Sequence, residues 1–307
     1  MEVSVHSLPA RNNWKTGSPF QFCFANSRTP RKVDVTVRSQ AKKDKVLFVM
    51  GATGTGKSKL SVELADYFPV EIINSDKIQV YKGLNIVTNK VSEEELLKVT
   101  HHLISFQEPD TDFPVQDFCH HANVALNHIA SKGCLPIIVG GSNNYIKELV
   151  EGSSSNFKSN FDSCFLWMDV ALPVLCKRLA SRIDEMVEAG FVDEIRGIFD
   201  PAADYSRGIR RAIGVPEMDQ YLRAEMAMAD DTTKKALLET AIAKSKENTY
   251  KLVTSQLGKI KHLMDDMGWK MHRIDATVVH EKSGEEAAYA WRKEVLRPTL
   301  AIVKEFR

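Results

Sequence analysis

Residues 46–58, VLFVMGATGTGKS, constrain this chain more than any other stretch. Five apolar residues run into a glycine-rich loop in which Gly51, Gly56, Lys57 and Ser58 fill the pattern GxxxxGKS. Glycines let successive backbone N–H groups turn inward around a di- or triphosphate, the lysine adds a point charge, and the serine hydroxyl can ligate magnesium. Such a cradle needs a strand feeding it and a helix leaving it. Residues 46–50 read as the strand, and residues 57–67 as the helix, with Leu60, Leu64 and Tyr67 on one face. The phosphate-binding set is therefore Gly51, Ala52, Thr53, Gly54, Thr55, Gly56, Lys57 and Ser58, with Mg2+ expected on Ser58.

A chain of 307 residues that is 43% hydrophobic can bury a full core, and its length suits one large α/β domain with an appended helical part. The formal net charge of +1 demands neither a nucleic acid nor a membrane as partner. Cys23, Cys119, Cys134, Cys164 and Cys176 are odd in number and form no CxxC pair, which argues against a disulfide framework and a cysteine-built zinc site. No run approaches the roughly 18 apolar residues of a bilayer span. Residues 1–44 stand apart: they are rich in Arg, Lys and Ser, hold only Glu2, Asp34 and Asp44 as acids, and lack apolar periodicity. This is transit-peptide composition, pointing to import into a plastid; a disordered basic tail on a cytoplasmic protein is the alternative.

Further along, residues 69–76 (PVEIINSD) read as a second strand ending in an acid. Ser92 and Glu95 make a capping box for a short helix to Val99. Apolar residues at helical spacing from Val115 to Ile129, closed by Gly133, mark a long helix. Residues 135–139 are a third strand, 151–160 a polar loop, and 165–172 a fourth strand, with Pro173 opening the next helix. Strands alternating with helices mean a mostly parallel sheet. From about 173 to 268 the pattern is nearly all helical, and 233–266 can be one very long helix. Residues 269–276 read as a last strand, and 284–306 as an amphipathic helix interrupted at Pro298. The fold class is α/β: a P-loop NTPase-like parallel sheet flanked by helices, with a helical C-terminal part.

A phosphate cradle alone fits kinases, hydrolases and group transferases, so the acids decide. Asp76 and Asp169 both sit at apolar strand ends, and either is a candidate to organise a metal. Asp76 differs in having Ser75, Gln79, Tyr81 and Lys82 as polar neighbours. Arg178, Arg182, Arg207, Arg210 and Arg211 supply positive charge in the helical part, and Arg178 and Arg182, four apart, share one helix face. Most are solvated face; two or three can close over a phosphate. The pairs His101–His102 and His120–His121 do not suit a shared metal.

At residues 74–90, NSDKIQVYKGLNIVTNK, the chain resembles the isopentenyltransferases, and within them the plant adenylate isopentenyltransferases. The likeness continues in order through HHLI at 101–104, LPIIVGGSNNYI at 135–146, RLASRIDEMVEAGFVDEIR at 178–196, GIRRAIGVP at 208–216, residues 248–256 and HRIDAT at 272–277. The resemblance implies transfer of a dimethylallyl group from dimethylallyl diphosphate to the exocyclic amine of adenine, within a domain spanning 45–307. It assigns the cradle to the prenyl diphosphate, Asp76 as general base, Thr53 as the cradle threonine, and Lys57 and Arg211 as diphosphate contacts, with Arg182 added as a phosphate contact.

The acceptor implied is ADP or ATP, with AMP the choice of bacterial relatives. Enzymes of this family that act on tRNA are similar, but usually carry an inserted helical domain and, in eukaryotes, a zinc-finger extension, neither of which is visible here. The GGSNNYI stretch resembles the free-nucleotide form. A tRNA prenyltransferase, a small-molecule kinase and a regulatory nucleotide-binding module remain as alternatives; no protein partner is implied. One departure from the family pattern stands out: Thr254 and Ser255 occupy the place before Gln256 where a basic residue is common.

Overall fold

The structure, a computed structural model, describes residues 43–152 and 156–307. Apart from its last two residues, the transit-peptide-like segment 1–44 lies outside these.

Six parallel strands form one sheet in the order β3-β2-β4-β1-β5-β6. They are β1 (Asp44–Gly51), β2 (Val70–Asn74), β3 (His101–His102), β4 (Leu135–Val139), β5 (Phe161–Asp169) and β6 (Met271–Asp275). β1 lies between β4 and β5, and Val46, Leu47, Phe48, Val49 and Met50 are all fully buried. A strand covered on both faces shows a continuous apolar run in place of alternation. The period of two survives inside the molecule. Val46, Phe48 and Met50 face one core layer, with Ile73 and Ile138, and Leu47 and Val49 face the other, with Ile72 and Ile137.

Between the strands run α1 (Lys57–Leu64), α2 (Glu93–Lys98), α3 (Val115–Ser131), α4 (Asn143–Glu151), α5 (Phe157–Asn160), α6 (Leu172–Glu188), α7 (Phe191–Ile198), α8 (Asp219–Met226) and α9 (Asp231–Asp265). After β6 come α10 (Thr277–Glu281), α11 (Gly284–Ala290) and α12 (Arg297–Phe306). α3 and α4 cover one face of the sheet with Phe118, Leu126, Ile129, Tyr145, Ile146 and Leu149. Leu60 and Leu64 of α1, Leu175 and Leu179 of α6, and Trp291 and Val295 cover the other. α9, with 35 residues, is about 52 Å long at 1.5 Å per residue. It buries a single stripe, Ala241, Ser245, Thr249, Val253, Gln256, Ile260 and Leu263, and packs on α4, α6, α8 and β1.

Most predicted elements are present, and the differences have physical causes. α1 stops at Leu64, because residues 65–67 tighten into i→i−3 turns ahead of Pro69; Tyr67 is turned out to 52% exposure and does not share the face of Leu60 and Leu64. The stretch predicted as a loop after residue 150 contains α5, whose Phe157 is buried against Phe48 and Phe161. The helix α4 went unpredicted because its apolar residues follow a Gly-Gly-Ser-Asn-Asn run that reads as loop. Pro298 interrupts the regular α pattern of the last helical stretch without ending it. Residues 291–296 widen into a π-helical turn just before it, and the chain continues as α12 with the proline in its first turn.

Candidate active site

In an open parallel sheet the loops at the carboxyl ends of the strands meet on one edge, beside the point where strand order reverses. Here β1, β4 and β2 are neighbours, so the loops after them, 52–56, 140–142 and 75–90, converge. Together with α6, α9 and α10 they enclose a cleft of about 340 Å³. Thr53, Gly54, Gly56, Lys57, Ser58, Asp76 and Arg182 all line it, with Gly51, Ala52 and Thr55 forming the loop behind.

The cradle has its expected geometry. Gly56 caps α1 at φ +92°, a left-handed conformation, and a Cβ there would lie 2.9 Å from the Trp291 ring. Thr55 Oγ1 donates to Ala52 O at 2.9 Å and Lys57 Nζ donates to the same carbonyl at 2.7 Å. Burial holds the Lys57 ammonium down to about 8, with Asp76 opposing the fall and Arg182 adding to it. Arg182 Nη2 donates to Thr53 Oγ1 at 3.2 Å, and burial, with Arg178 nearby, lowers its guanidinium to about 10. Arg182 Nε is buried without a partner. A buried pocket holding this much positive charge is built to receive an anion.

One residue of α9 ties two of the loops together. Gln256 Oε1 accepts from the Thr53 N–H at 2.8 Å, and Gln256 Nε2 donates to Gly141 O at 3.1 Å. Asn143 Nδ2 donates to the Gln256 carbonyl at 3.0 Å. A Cβ on Gly141 would lie 2.3 Å from Gln256 Nε2, so any larger residue there would displace the Gln256 amide from its present position. Thr254 and Ser255 are exposed on α9, do not line the cleft, and Thr254 Oγ1 donates back to Tyr250 O at 3.1 Å.

Asp76 lies two residues past β2. Its Oδ1 accepts from the Ile78 N–H at 2.9 Å and the Gln79 N–H at 3.4 Å, while its own N–H donates to Asn74 Oδ1 at 3.1 Å. Asn74 Nδ2 is held in turn by Leu103 O at 2.9 Å. These bonds occupy Oδ1 and leave Oδ2 on the side of Gly141, whose added Cβ would stand 3.9 Å from it. The carboxylate is therefore oriented by backbone, with one oxygen presented to the cleft.

Not every sequence candidate arrives here. Asp169 pairs with Arg273 Nε at 2.7 Å and lies outside the cleft lining, so of the two acids only Asp76 joins the cradle. Arg211 also lies outside the lining: its Nη2 donates to the Tyr81 hydroxyl at 3.4 Å and its Nε to Gly208 O at 3.3 Å. Arg207 and Arg210 bind Asp112 and Asp110. Arg178 and Arg182 do share a face and both line the cleft. The paired histidines point apart, His101 Nδ1 contacting Val99 O at 2.8 Å and His102 Nε2 contacting Glu71 at 2.7 Å. His121 packs between Phe106 and Phe113.

Of the lining residues to which the sequence reading gave no role, three bear on the chemistry. Gln256 carried one signal, a long amide side chain on the buried stripe of α9 between Val253 and Ile260. Lys59 stands two residues past the cradle lysine on the first turn of α1, and His280 follows β6 by five residues with no local motif at all.

Comparison with known proteins gives the family. The family model described as IPP transferase matches residues 79–161 and 153–262. Adenylate isopentenyltransferase 5, chloroplastic, of Arabidopsis thaliana is 53% identical over 86% of this chain and 81% of its own length. Adenylate isopentenyltransferase 7, mitochondrial, of the same plant is 45% identical over 100% of this chain and 90% of its own. Among solved structures, a eukaryotic dimethylallyltransferase acting on tRNA has a TM-score of 0.70 at 23% identity, covering 86% of this chain and 79% of that one, a likeness of fold. With a cradle, an oriented carboxylate and these relatives in agreement, the chain belongs to the IPP transferase family.

Proposed function

We propose that the protein transfers the dimethylallyl group of dimethylallyl diphosphate to the N6 amine of adenine in ADP or ATP, with AMP as a further acceptor, releasing diphosphate on the route to cytokinins. The observation that carries this reading is that Asp76 and Lys57 line one cleft, near enough for the Asp76 carboxylate to act on the Lys57 ammonium. As the allylic C–O bond breaks, negative charge gathers on the leaving diphosphate, where the cradle N–H groups, Lys57, Arg182 and Arg178 stand. As the new C–N bond forms, the adenine amine becomes acidic and its proton passes to the free oxygen of Asp76. An exocyclic amine conjugated with a purine ring is a poor nucleophile, so an acceptor already oriented by two backbone N–H groups is an advantage. Thr53 holds Arg182 in register with the loop, and Arg211 acts from the edge of the site beside Tyr81.

The donor chemistry suits Mg2+. Among the described residues no cluster of three His, Cys, Asp or Glu side chains can hold a metal, whereas Ser58 is exposed on the cleft wall beside the cradle. Magnesium keeps several waters and is bound through few protein oxygens together with substrate phosphates. Ser58 supplies such an oxygen. When bound, the ion neutralises charge on the departing diphosphate.

We further propose the plastid as the site of action, on the composition of residues 1–44 and the chloroplastic names among the relatives. Among the described residues no helix is long and apolar enough to cross a membrane. A fluorescent fusion of the full chain tests the compartment. For the reaction, purified protein is given Mg2+ and dimethylallyl diphosphate with AMP, ADP, ATP or unmodified tRNA in separate tubes. Prenylated ADP or ATP detected by mass is the expected result. Product on tRNA alone moves the assignment to the tRNA-modifying branch, and a phosphorylated product made without the prenyl donor moves it to a kinase.

A further inference from the structure

A group of three basic side chains from three separate elements also lines the cleft: Lys59 of α1, Arg178 of α6 and His280 of α10, the first two near enough to act on the third. Each is held in place by something other than a ligand. Lys59 Nζ stands 4.3 Å over the Trp291 ring, and the Trp291 indole N–H is tied to Glu63. Arg178 is braced by Glu185 two turns along its own helix, with Nη2 3.1 Å from the carboxylate. α10 is anchored where it starts, by Thr277 Oγ1 accepting from the Ala171 N–H at 2.9 Å and by the Thr277 N–H donating to Asp275 at 2.9 Å.

His280 is the member whose chemistry is left open. Its Nε2 is buried and has no hydrogen-bond partner, although the ring lines a polar cleft. A buried ring nitrogen without a partner costs free energy that a ligand can recover. The charges nearest it are Arg178 and Lys59, and burial together with these two cations pushes the imidazole below its usual range. Those surroundings disfavour a free imidazolium and favour an anion beside the ring.

We propose that His280 is a phosphate-contacting residue, whose Nε2–H donates to a non-bridging oxygen of the diphosphate held in the cradle and adds, with Lys59 and Arg178, to its grip. The inference rests on the assignment of the cradle to a diphosphate. It adds a site on α10 that no motif marks, placing one donor from the C-terminal part of the chain against a loop more than 220 residues earlier. Because the contact is made in the ground state as much as during bond breaking, its loss weakens binding more than turnover.

The test uses the full chain and inorganic pyrophosphate with Mg2+ as the probe, titrated by calorimetry, beside steady-state kinetics with dimethylallyl diphosphate. In His280→Ala the pyrophosphate Kd and the KM for the prenyl donor are each expected to rise about tenfold while kcat stays within about twofold, as for one hydrogen bond to a charged group. His280→Gln, which keeps an N–H donor near the same place, is expected to recover most of the loss. Lys57→Ala is run in parallel. If Lys57→Ala loses pyrophosphate and His280→Ala does not, the proposal for His280 is overturned and the cradle stands. If neither variant loses it, the diphosphate assignment fails and takes the proposal with it. If His280→Ala melts well below the parent, His280→Gln decides: a native-like melt with binding still lost also overturns the donor role.

Discussion

Thr53 and Gln256, 203 residues apart, are joined by a 2.8 Å hydrogen bond from the Thr53 N–H to Gln256 Oε1. The same side chain reaches Gly141 O, so one residue of a long helix sets the spacing between the loop that cradles phosphate and the loop that faces Asp76.

Gln256→Ala removes both bonds at once and leaves a backbone N–H and a carbonyl short of partners in a buried place. We expect a stability loss of about 1–3 kcal/mol by urea denaturation. The KM for dimethylallyl diphosphate should rise several-fold, because the cradle is no longer pinned. Gln256→Glu keeps an acceptor for Thr53 but sets a carboxylate against the bound phosphates. It is expected to bind the donor less well than the alanine variant, and equal donor KM values for the two would count against the clamp.

Asp76→Ala is expected to cut kcat by at least about a hundredfold, the usual cost of losing a positioned general base. Asp76→Asn preserves the acceptor for Ile78 and Gln79 while abolishing basicity, so it should be nearly as slow with a thermal melt close to the parent. Turnover near the parental rate in either variant would remove Asp76 from the mechanism.

The buried Lys57 gives the enzyme an alkaline limit. With the ammonium held at about 8, kcat/KM for the prenyl donor, which reports the free enzyme, should fall with a slope approaching tenfold per pH unit above that value. The sign for stability is opposite. An unfolded lysine keeps its proton up to the ordinary 10.5, so between about 8 and 10.5 the unfolded chain binds more protons and the fold gains from Lys57 as pH rises. Rate profiles and urea melts over pH 7–10 check the two directions, and in Lys57→Ala both trends should be absent.

Asp169→Asn serves as the contrast to Asp76. It breaks an ion pair with Arg273, whose side chain is 54% exposed, so the stability change should stay within about 1 kcal/mol. Turnover should remain within about twofold of the parent. A large fall in kcat would restore Asp169 as an acid of the site.

How much of this was written locally can be judged residue by residue. The cradle was legible because its chemistry needs contiguous residues: glycines for the turns, then lysine and serine on the first turn of a helix, fed by an apolar strand. The long helix α9 was legible from periodicity, and the parallel sheet from strands alternating with helices. The resemblance of residues 74–90 and the later motifs singled out Asp76, where composition and spacing alone left Asp169 beside it.

Tertiary structure decided what depends on distance between segments far apart in the chain. Pairing of β4 with both β1 and β2 brought Asp76 to the cradle, while β6, pairing with β5, gave Asp169 an arginine partner that occupies it. Arg211 ended beside Tyr81 while Arg182 reached Thr53, a difference that turns on which helix packs over the sheet. Gln256, Lys59 and His280 acquired their places the same way. Local sequence encodes backbone conformation and which face of an element is apolar; a site assembled from several strand ends exists only once burial of those faces has fixed the strand order and carried the ends together.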